Sequence, residues 1–528
     1  MRRRTFLSAS AATLALPAIG RAESDRVLKF IAQSDLAVVD PVWTTAYVTR
    51  NHGYMVFDTL YGQTGQSGGY KATPQMVAGH VVENDGKTWK LTLRDGLTFH
   101  DGEKVLARDC AASIKRWGAR DAFGQALMAR TDELSAPDDK TIMFRLKQPF
   151  ALLPDAMCHG ASNMCAMMPQ RIAETDPFKA FTEVVGSGPF RFKSDERVQG
   201  SLFVYEKNDR YKPREDGEAS FTAGPKIVHF DRVEWHVQPD AATKAAAIQA
   251  GEMDWWENPP ADLLPLLRKA KIQTVITDHT GNPYILRPNQ LFPPFDKPAV
   301  RRALMGAIDQ KEFMIAMMGE DTSLWSAPVG FFPPASPMAN DAGMSALTSP
   351  RDPAAVKIAL EKAGYQGETV VLMGATDQPT NYPLAEVAAD LLKRVGVSVD
   401  YQATDWGTVV QRRALTKPPS EGGWNLFCTG FSGLDWFTPA SHLPLRGNGK
   451  NAWFGWPTAP NIERLREAWF HAPTLADQQR IAREMQLAAF EAVPYIPLGQ
   501  WSQPTAHRAD LTGFVKASTH VFWGVRRA

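Results

Sequence analysis

The sequence lacks an excess of charge of either sign. Its 528 residues carry 58 basic and 57 acidic side chains, so the formal net charge is +1. A near-neutral chain has no basic field to attract the phosphates of DNA or RNA, and we therefore expect no nucleic-acid partner. Hydrophobic residues make up 44% and charged residues 22%, the balance of an ordinary globular protein. A chain of this length is typical of about three domain-sized units.

The sequence also lacks an apolar run of about 18 residues, the length that crosses a bilayer. Residues 1–22 instead resemble an export signal, with Arg2 to Arg4 in front of the uncharged stretch Thr5–Gly20 and cleavage expected before Glu23. The run Arg3-Arg4-Thr5-Phe6-Leu7 resembles the twin-arginine motif, and a general secretory signal is the alternative. Either route predicts a periplasmic protein. The signal holds four arginines and no acid, so the mature chain carries a net charge of −3.

Cysteine is scarce, with only four residues in the chain. Cys158 and Cys165 are close in sequence, so the periplasm could bridge them, but the sequence leaves the disulfide open. No Cys-x-x-Cys or paired histidine gives the spacing of a zinc site, and we predict neither a metal nor a cofactor.

Motifs for catalysis are absent as well. Gly65-Gln-Ser67-Gly-Gly69 matches G-x-S-x-G in letters, but its flanks lack the apolar strand and the helix that a nucleophile elbow needs. No zincin, P-loop or dinucleotide-binding motif occurs. The sequence therefore predicts no catalytic residue and no enzyme.

Strand and helix periodicities alternate along the chain, which predicts an α/β fold. Thr88–Arg94 and Thr141–Leu146 alternate with period two, as half-buried strands do. Ala241–Ala250 reads as a helix ended by Gly251. The apolar positions between Val300 and Ile308 share one helix face. The apolar helix pattern that ends at Gly396 is followed by an alternating strand, the order of an α/β unit.

The positions of the tryptophans are the most informative feature of the composition. Several of the 15 tryptophans stand in loop-like segments beside glycine, proline or aspartate, and those from Trp406 to Trp456 are close together in sequence. Aromatic rings beside carboxylates suit a cleft for an organic, cationic ligand. The alternative for each ring is a place in the core.

An ordered set of short motifs resembles the peptide/nickel-type extracellular solute-binding proteins of ATP-binding-cassette (ABC) importers, family 5. The matching segments are Leu93-Arg-Asp-Gly-Leu-Thr-Phe-His-Asp-Gly102, Gly186-Ser-Gly-Pro-Phe190, Asn208-Asp-Arg-Tyr211, Ala250-Gly-Glu-Met-Asp254 and Val300-Arg-Arg-Ala-Leu304. Each motif is weak alone, and their common order over nearly the whole mature chain makes the resemblance specific.

The resemblance implies a two-lobed periplasmic binding protein fold of the α/β class with a hinge. Lobe I would span 23–283, with an extra subdomain at about 70–185, and lobe II would span 284–498. Residues 499–528 would return to lobe I. The crossing strands would be Tyr284–Asn289 and Ile496–Trp501, whose proline-rich flanks suit stiff connectors.

The resemblance also implies a ligand site. Asp435, in the D-x-x-x-P spacing that ends at Pro439, matches the aspartate that pairs with a peptide ammonium group, although Leu434 makes the preceding spacing one residue longer than usual. An aspartate that only caps a turn is the alternative. The segment 375–382 lacks the arginine that holds a dipeptide carboxylate and has Asp377 instead, which favours a cationic or neutral solute. The expected ligand-binding residues are Asp435, Trp436, Phe431, Trp406, Asp377, Tyr382 and Trp43.

The sequence as a whole predicts a monomeric periplasmic receptor. It would capture a small organic solute, peptide-like or cationic, by lobe closure and deliver it to an ABC permease of the inner membrane. A periplasmic hydrolase and a chaperone-like binder of peptides are the alternatives.

Overall fold

The computed structural model describes residues 26–160, 163–238, 240–378 and 380–528. The export signal expected at 1–22 lies outside the described residues. The strands are β1 (Val27–Ile31), β2 (Tyr61–Gln63), β3 (Ala72–Pro74), β4 (Val77–Glu83), β5 (Thr88–Leu93), β6 (Thr131–Ser135), β7 (Thr141–Leu146), β8 (Phe190–Phe192), β9 (Leu202–Lys207), β10 (Arg232–His236), β11 (Trp255–Trp256), β12 (Gln273–Ile276), β13 (Asn282–Pro288), β14 (Trp325–Ser326), β15 (Val370–Ala375), β16 (Val399–Thr404), β17 (Leu426–Gly430), β18 (Ile496–Trp501), β19 (Pro504–His507), β20 (Leu511–Thr512) and β21 (Arg526–Arg527).

The helices are α1 (Tyr47–Val56), α2 (Ala107–Arg120), α3 (Ala122–Arg130), α4 (Leu153–Cys158), α5 (Gln170–Ala173), α6 (Ala241–Ala250), α7 (Leu264–Lys269), α8 (Pro298–Met305), α9 (Gln310–Met318), α10 (Ser345–Thr348), α11 (Pro353–Lys362), α12 (Asn381–Arg394), α13 (Trp406–Arg412), α14 (Pro460–Phe470) and α15 (Leu475–Ala492). None of the helices in the described part of the chain is long and apolar enough to cross a membrane.

The first large sheet has seven strands in the order β12-β19-β11-β1-β10-β9-β8. β1 lies parallel to β10 and to β11, whereas β19 is antiparallel to β11 and β12. Because β19 comes from the C-terminal part of the chain, that segment returns to a sheet built from the N-terminal half. Trp235 and Trp255, on the two strands that flank β1, both pack against Phe30, with ring centroids 5.5 and 5.0 Å from its ring.

A separate four-stranded antiparallel sheet, in the order β4-β5-β7-β6, lies within the stretch before β8. The predicted strands Thr88–Arg94 and Thr141–Leu146 are confirmed, since they correspond to β5 and β7, which pair directly. α2 and α3 follow β5 in sequence and contact this sheet.

The second large sheet has six strands in the order β14-β18-β13-β17-β15-β16. β13 and β18 are antiparallel neighbours at its centre. The chain leaves the first sheet after β12 to enter β13, and it returns from β18 to β19, so the two sheets are joined by two adjacent crossings.

The helix–glycine–strand prediction is confirmed in the second sheet, where β15 and β16 are parallel and α12 connects them. Gly396 has the positive φ of 81° that ends such a helix, and Gly251 does the same after α6 with φ of 77°. The predicted helix through Ile308 is wrong in its end point. α8 stops at Met305 because Asp309 turns the chain and caps α9 through Lys311 N.

No disulfide joins Cys158 and Cys165, whose thiols are free and buried. Burial raises the pKa of both thiols well above its usual value. Both groups therefore stay protonated and pack as small apolar side chains.

Candidate ligand-binding site

A cleft of about 1700 Å³ lies between the halves built on the two large sheets. One wall comes from the first half and includes Tyr47 and Trp256, and the other comes from the second half and includes Phe431, Asp435 and Arg413. Sites for small organic ligands usually have about 300 to 1000 Å³, so this cleft has room for a solute larger than a single amino acid.

Asp435 lies in the short 3-10 turn Gly433–Trp436 that follows β17, and only 6% of it is exposed. Its Oδ2 accepts a hydrogen bond of 2.7 Å from the hydroxyl of Tyr47, which comes from α1 in the opposite wall. Burial first, and the charge of Asp435 second, raise the pKa of Tyr47, which therefore remains a donor. The extra residue Leu434 is buried against Phe221 and so anchors the turn.

Two charged groups of the first half face the same region of the cleft. His159 Nε2 lies 3.2 Å from Asp121 Oδ1, and both residues line the cleft. Burial is the largest influence and disfavours the charged form of His159, but the charge of Asp121, its hydrogen bond and the charge of Asp435 together raise the pKa of the imidazole. The carboxylates of Asp121 and Asp435 thus both act on His159 in this part of the wall.

Arg413 is a desolvated cation among aromatic rings. Its guanidinium carbon lies 5.4 Å from the ring of Trp406, 5.5 Å from that of Trp453 and 4.9 Å from that of Phe454. Burial lowers the pKa of Arg413 to about 10, so the group is still charged at neutral pH. Within the described residues no carboxylate lies at ion-pair distance from it. Arg413 is half-buried, and a partly desolvated cation without a counter-ion is costly, so a ligand anion would offset that cost.

Asp377 and Trp406 are brought together by a hydrogen bond. Asp377 Oδ1 accepts from the backbone N–H of Trp406 at 2.7 Å, and Asp405 caps the same helix through Thr408 N. Both Asp377 and Trp406 line the cleft. The carboxylate of Asp377 therefore holds the N-terminus of α13, and it positions the ring of Trp406 over Arg413.

Phe431 lines the cleft, and Trp436 lies directly behind it, with ring centroids 5.5 Å apart. Trp436 is buried, stacks on His442 at 4.6 Å and does not line the cleft. Trp436 therefore supports Phe431 from the core. A place in the core is the alternative that the sequence left open for each tryptophan.

Trp43 and Tyr382 are likewise outside the cleft lining of the described residues. The indole N–H of Trp43 donates to the Phe178 carbonyl at 2.9 Å, beside the cleft-lining Thr44. Tyr382 lies on α12, where the charge of Glu386 one turn later raises the pKa of its phenol. The structure thus places Asp435, Phe431, Trp406 and Asp377 around one cleft and the remaining three residues at its edge or behind it.

A small chamber of about 40 Å³ opens off the cleft behind Tyr47 and is lined by Arg50, Glu257 and Asp278. Arg50 stacks on the ring of Tyr47 at 4.3 Å. Burial raises the pKa of Glu257 to about 7 and that of Asp278 to about 6. The chamber is large enough for a few water molecules, which could link these three charges.

Among the described residues the cleft holds neither a metal centre nor the serine of the G-x-S-x-G match. The described part of the chain contains no group of three or more His, Cys, Asp or Glu placed to hold a metal ion. Ser67, the serine of the G-x-S-x-G match, lies in the exposed 3-10 turn Gln66–Gly68. The cleft is therefore equipped for binding by charge and aromatic contact.

Two sheet-centred halves, joined by two adjacent crossings and separated by a ligand-sized cleft, define a two-lobed periplasmic binding protein. The chain belongs to the bacterial extracellular solute-binding proteins, family 5, whose family model matches residues 71–453. This family supplies the substrate-binding proteins of ABC importers, which implies a periplasmic location. The resemblance seen in the sequence is confirmed.

Curated relatives agree over nearly the whole length. The "Probable peptide ABC transporter periplasmic-binding protein y4tO" of Sinorhizobium fredii is 34% identical over 527 residues, which cover 98% of both chains. The "Glutathione-binding protein GsiB" of Salmonella typhimurium is 26% identical, over 94% of this chain and 95% of its own. These relatives are named as binding proteins and not as enzymes.

Solved structures share the fold. The periplasmic binding protein AgaA of A. tumefaciens R10, in complex with agropinic acid, has a TM-score of 0.76 and 20% identity, and the match covers 95% of this chain and 99% of that chain. A dipeptide-binding protein of Pseudoalteromonas sp. SM9913, in complex with Met-Leu, has a TM-score of 0.76 and 18% identity, with 95% and 100% covered. The two-lobed fold predicted from the sequence is thus confirmed.

Proposed function

We propose that this receptor captures a dipolar organic solute, with a cationic group at Asp435 and an anionic group at Arg413. The observation that supports this proposal is that two charged groups line the same cleft. One is Arg413, which has no carboxylate partner among the residues the structure describes, and the other is the buried Asp435. The absence of arginine from residues 375–382 favours a cationic or neutral solute, but Arg413, which directly follows α13, supplies an arginine from another direction. Peptides and glutathione, which relatives are named for binding, contain both an ammonium and a carboxylate group.

The proposed mechanism is closure of two lobes on the solute, without catalysis. Lobe I comprises residues 23–283 with an inserted subdomain at about 70–185, lobe II comprises 284–498, and 499–528 return to lobe I. Contacts from both walls would stabilise the closed form of a monomer, which the permease then recognises. A Kd of about 1 μM, or about 8 kcal/mol, suits such a receptor. Turnover of esters or peptides by the purified protein would instead support a hydrolase.

The test begins with native mass spectrometry of the freshly purified protein, which identifies a co-purified solute. Isothermal titration of that solute into Asp435→Asn is then expected to show at least tenfold weaker binding, because the neutral amide keeps a hydrogen bond but loses the charge. Asp390→Asn, on an exposed face of α12, is the matched control and should bind like the wild type. Equal affinity of Asp435→Asn and wild type would refute ammonium pairing.

Export is proposed to follow the twin-arginine route. The supporting observation is the run Arg3-Arg4-Thr5-Phe6-Leu7 before a mildly hydrophobic segment. The periplasmic protein is expected to begin at Glu23 by N-terminal sequencing, and replacement of Arg3 and Arg4 by lysine should leave the precursor in the cytoplasm. Unchanged export of that variant would indicate the general secretory route.

A further inference from the structure

An aromatic cluster joins the subdomain of lobe I to lobe II outside the ligand cleft. Phe123 and Phe150 come from the subdomain side, and each lies 5.9 Å from the ring of Phe470 at the end of α14. Arg130, the last residue of α3, places its guanidinium carbon 4.7 Å from the ring of Phe470 and 5.3 Å from that of Phe150. None of these residues lines the cleft.

An ion pair spans the same contact. Arg130 Nη2 donates a short hydrogen bond to Glu467 Oε1. The side chain of Arg130 is only 7% exposed, whereas that of Glu467 is 56% exposed. Burial opposes ionisation of Glu467, but the hydrogen bond and charge of Arg130 outweigh it and lower the pKa of the carboxyl. His471, one turn later on the solvent side, lies 3.1 Å from the same Glu467 oxygen.

Separation of α14 from α3 would have two costs. It would expose apolar surface of the three phenylalanine rings to water, and it would leave Arg130 without the carboxylate of Glu467 and the ring of Phe470. Both costs oppose separation of the lobes, and neither involves a residue that lines the ligand cleft.

We propose that Arg130, Phe123, Phe150, Glu467 and Phe470 form a clasp that stabilises the closed lobes independently of the ligand. This proposal depends on the lobe boundaries proposed above, and it adds to the binding function a contact that controls lobe closure. A contact that favours the closed state raises the apparent affinity for any solute that binds that state, because a larger fraction of the protein is already competent. The clasp thereby sets affinity from a distance, while the cleft sets specificity.

The clasp can be tested without a ligand, by small-angle X-ray scattering of the solute-free protein fitted as a mixture of closed and open forms. Arg130→Gln and Glu467→Gln are each expected to lower the closed-to-open ratio about tenfold, which corresponds to about 1.4 kcal/mol. The double variant should lose no more than Arg130→Gln alone, since that variant has already removed the ion pair with Glu467. Rising NaCl should open the wild type but leave the variants unchanged.

Arg394→Gln is the matched control, because it breaks an ion pair of 2.7 Å with Glu312 that lies entirely on the second half. Should Arg130→Gln fail to fold by circular dichroism, Phe470→Leu provides a second variant that keeps the ring site filled. The clasp would be refuted if its variants scattered like Arg394→Gln. It would also be refuted if the losses of the two single variants added up in the double variant. Failure to bind any solute would instead refute the proposed function and leave the scattering result intact.

Discussion

Replacing Arg413 with glutamine is expected to weaken binding of the solute about a hundredfold, or by about 2.7 kcal/mol. The aromatic rings of Trp406, Trp453 and Phe454 keep water from much of the guanidinium, so an anion placed there forms a charge-assisted hydrogen bond in a low dielectric. Glutamine keeps a donor but no charge. Isothermal titration with the solute identified by mass spectrometry measures the effect.

Two further variants make the Arg413 test specific. Arg412→Gln changes the neighbouring arginine, which bonds to Gln402 and to the Gly423 carbonyl, and it should bind normally. Arg413→Lys keeps the charge but loses the planar fork, so an intermediate affinity is expected. A solute that binds Arg413→Gln as tightly as the wild type would show that its anionic group lies elsewhere.

Arg413→Gln should weaken binding of the solute, but it should not lower the stability of the solute-free protein. Because Arg413 has its pKa lowered by burial and no acidic partner in the described residues, its charge is a cost to the empty fold. Arg413→Gln is therefore expected to be at least as stable as the wild type in urea. Loss of stability together with loss of binding would mark Arg413 as a structural residue.

Local signals in the sequence were sufficient for most of the elements. The sequence Asp352-Pro353 is a typical helix start, and Asp352 does cap α11, because its carboxylate accepts from the N–H groups of Ala354 and Ala355. Thr474 likewise opens α15 through Asp477 N. These interactions join residues two or three positions apart. The lobes themselves could be expected only from the ordered motifs, since the neighbouring strands β13 and β18, which carry the two crossings, are more than two hundred residues apart in sequence.

The site was harder to predict because a residue type does not reveal which way a side chain points. Trp436 and Phe431 are five positions apart, yet only Phe431 reaches the cleft. The position of Arg413 could have been predicted from the sequence. It follows Trp406 by seven residues, or two helical turns, and so lies on the same face. The position of Tyr47 could not, because its partner Asp435 is 388 residues away.

The contribution of Glu257 to the stability of the protein should fall as pH rises from about 4.5 to about 7. Buried histidines such as His52, His442 and His520, whose pKa burial lowers to about 3, contribute in the opposite direction. Burial is the main cause that raises the pKa of the Glu257 carboxyl from 4.5 to about 7, against the opposing hydrogen bond from Gln33 N and the charge of Arg50. A group whose pKa is higher in the folded state binds its proton more tightly there. The stabilisation from Glu257 is therefore complete below about pH 4.5, and it is lost as pH rises through the pKa of the folded state.

The expected loss of this contribution between pH 4 and pH 8 is on the order of 3 kcal/mol, at about 1.36 kcal/mol for each unit of pKa. Glu257→Gln cannot titrate, so the difference between its free energy of unfolding in urea and that of the wild type should change by this amount over the range, whatever constant offset the amide introduces beside Asn51. Glu484→Gln, on the exposed face of α15, should retain the wild-type slope. Asp278 titrates in the same direction and should account for part of the dependence left in Glu257→Gln. A wild-type slope in Glu257→Gln would mean that the chamber behind Tyr47 holds this carboxylate in its charged form across the range, and that its charge is neutralised there by Arg50.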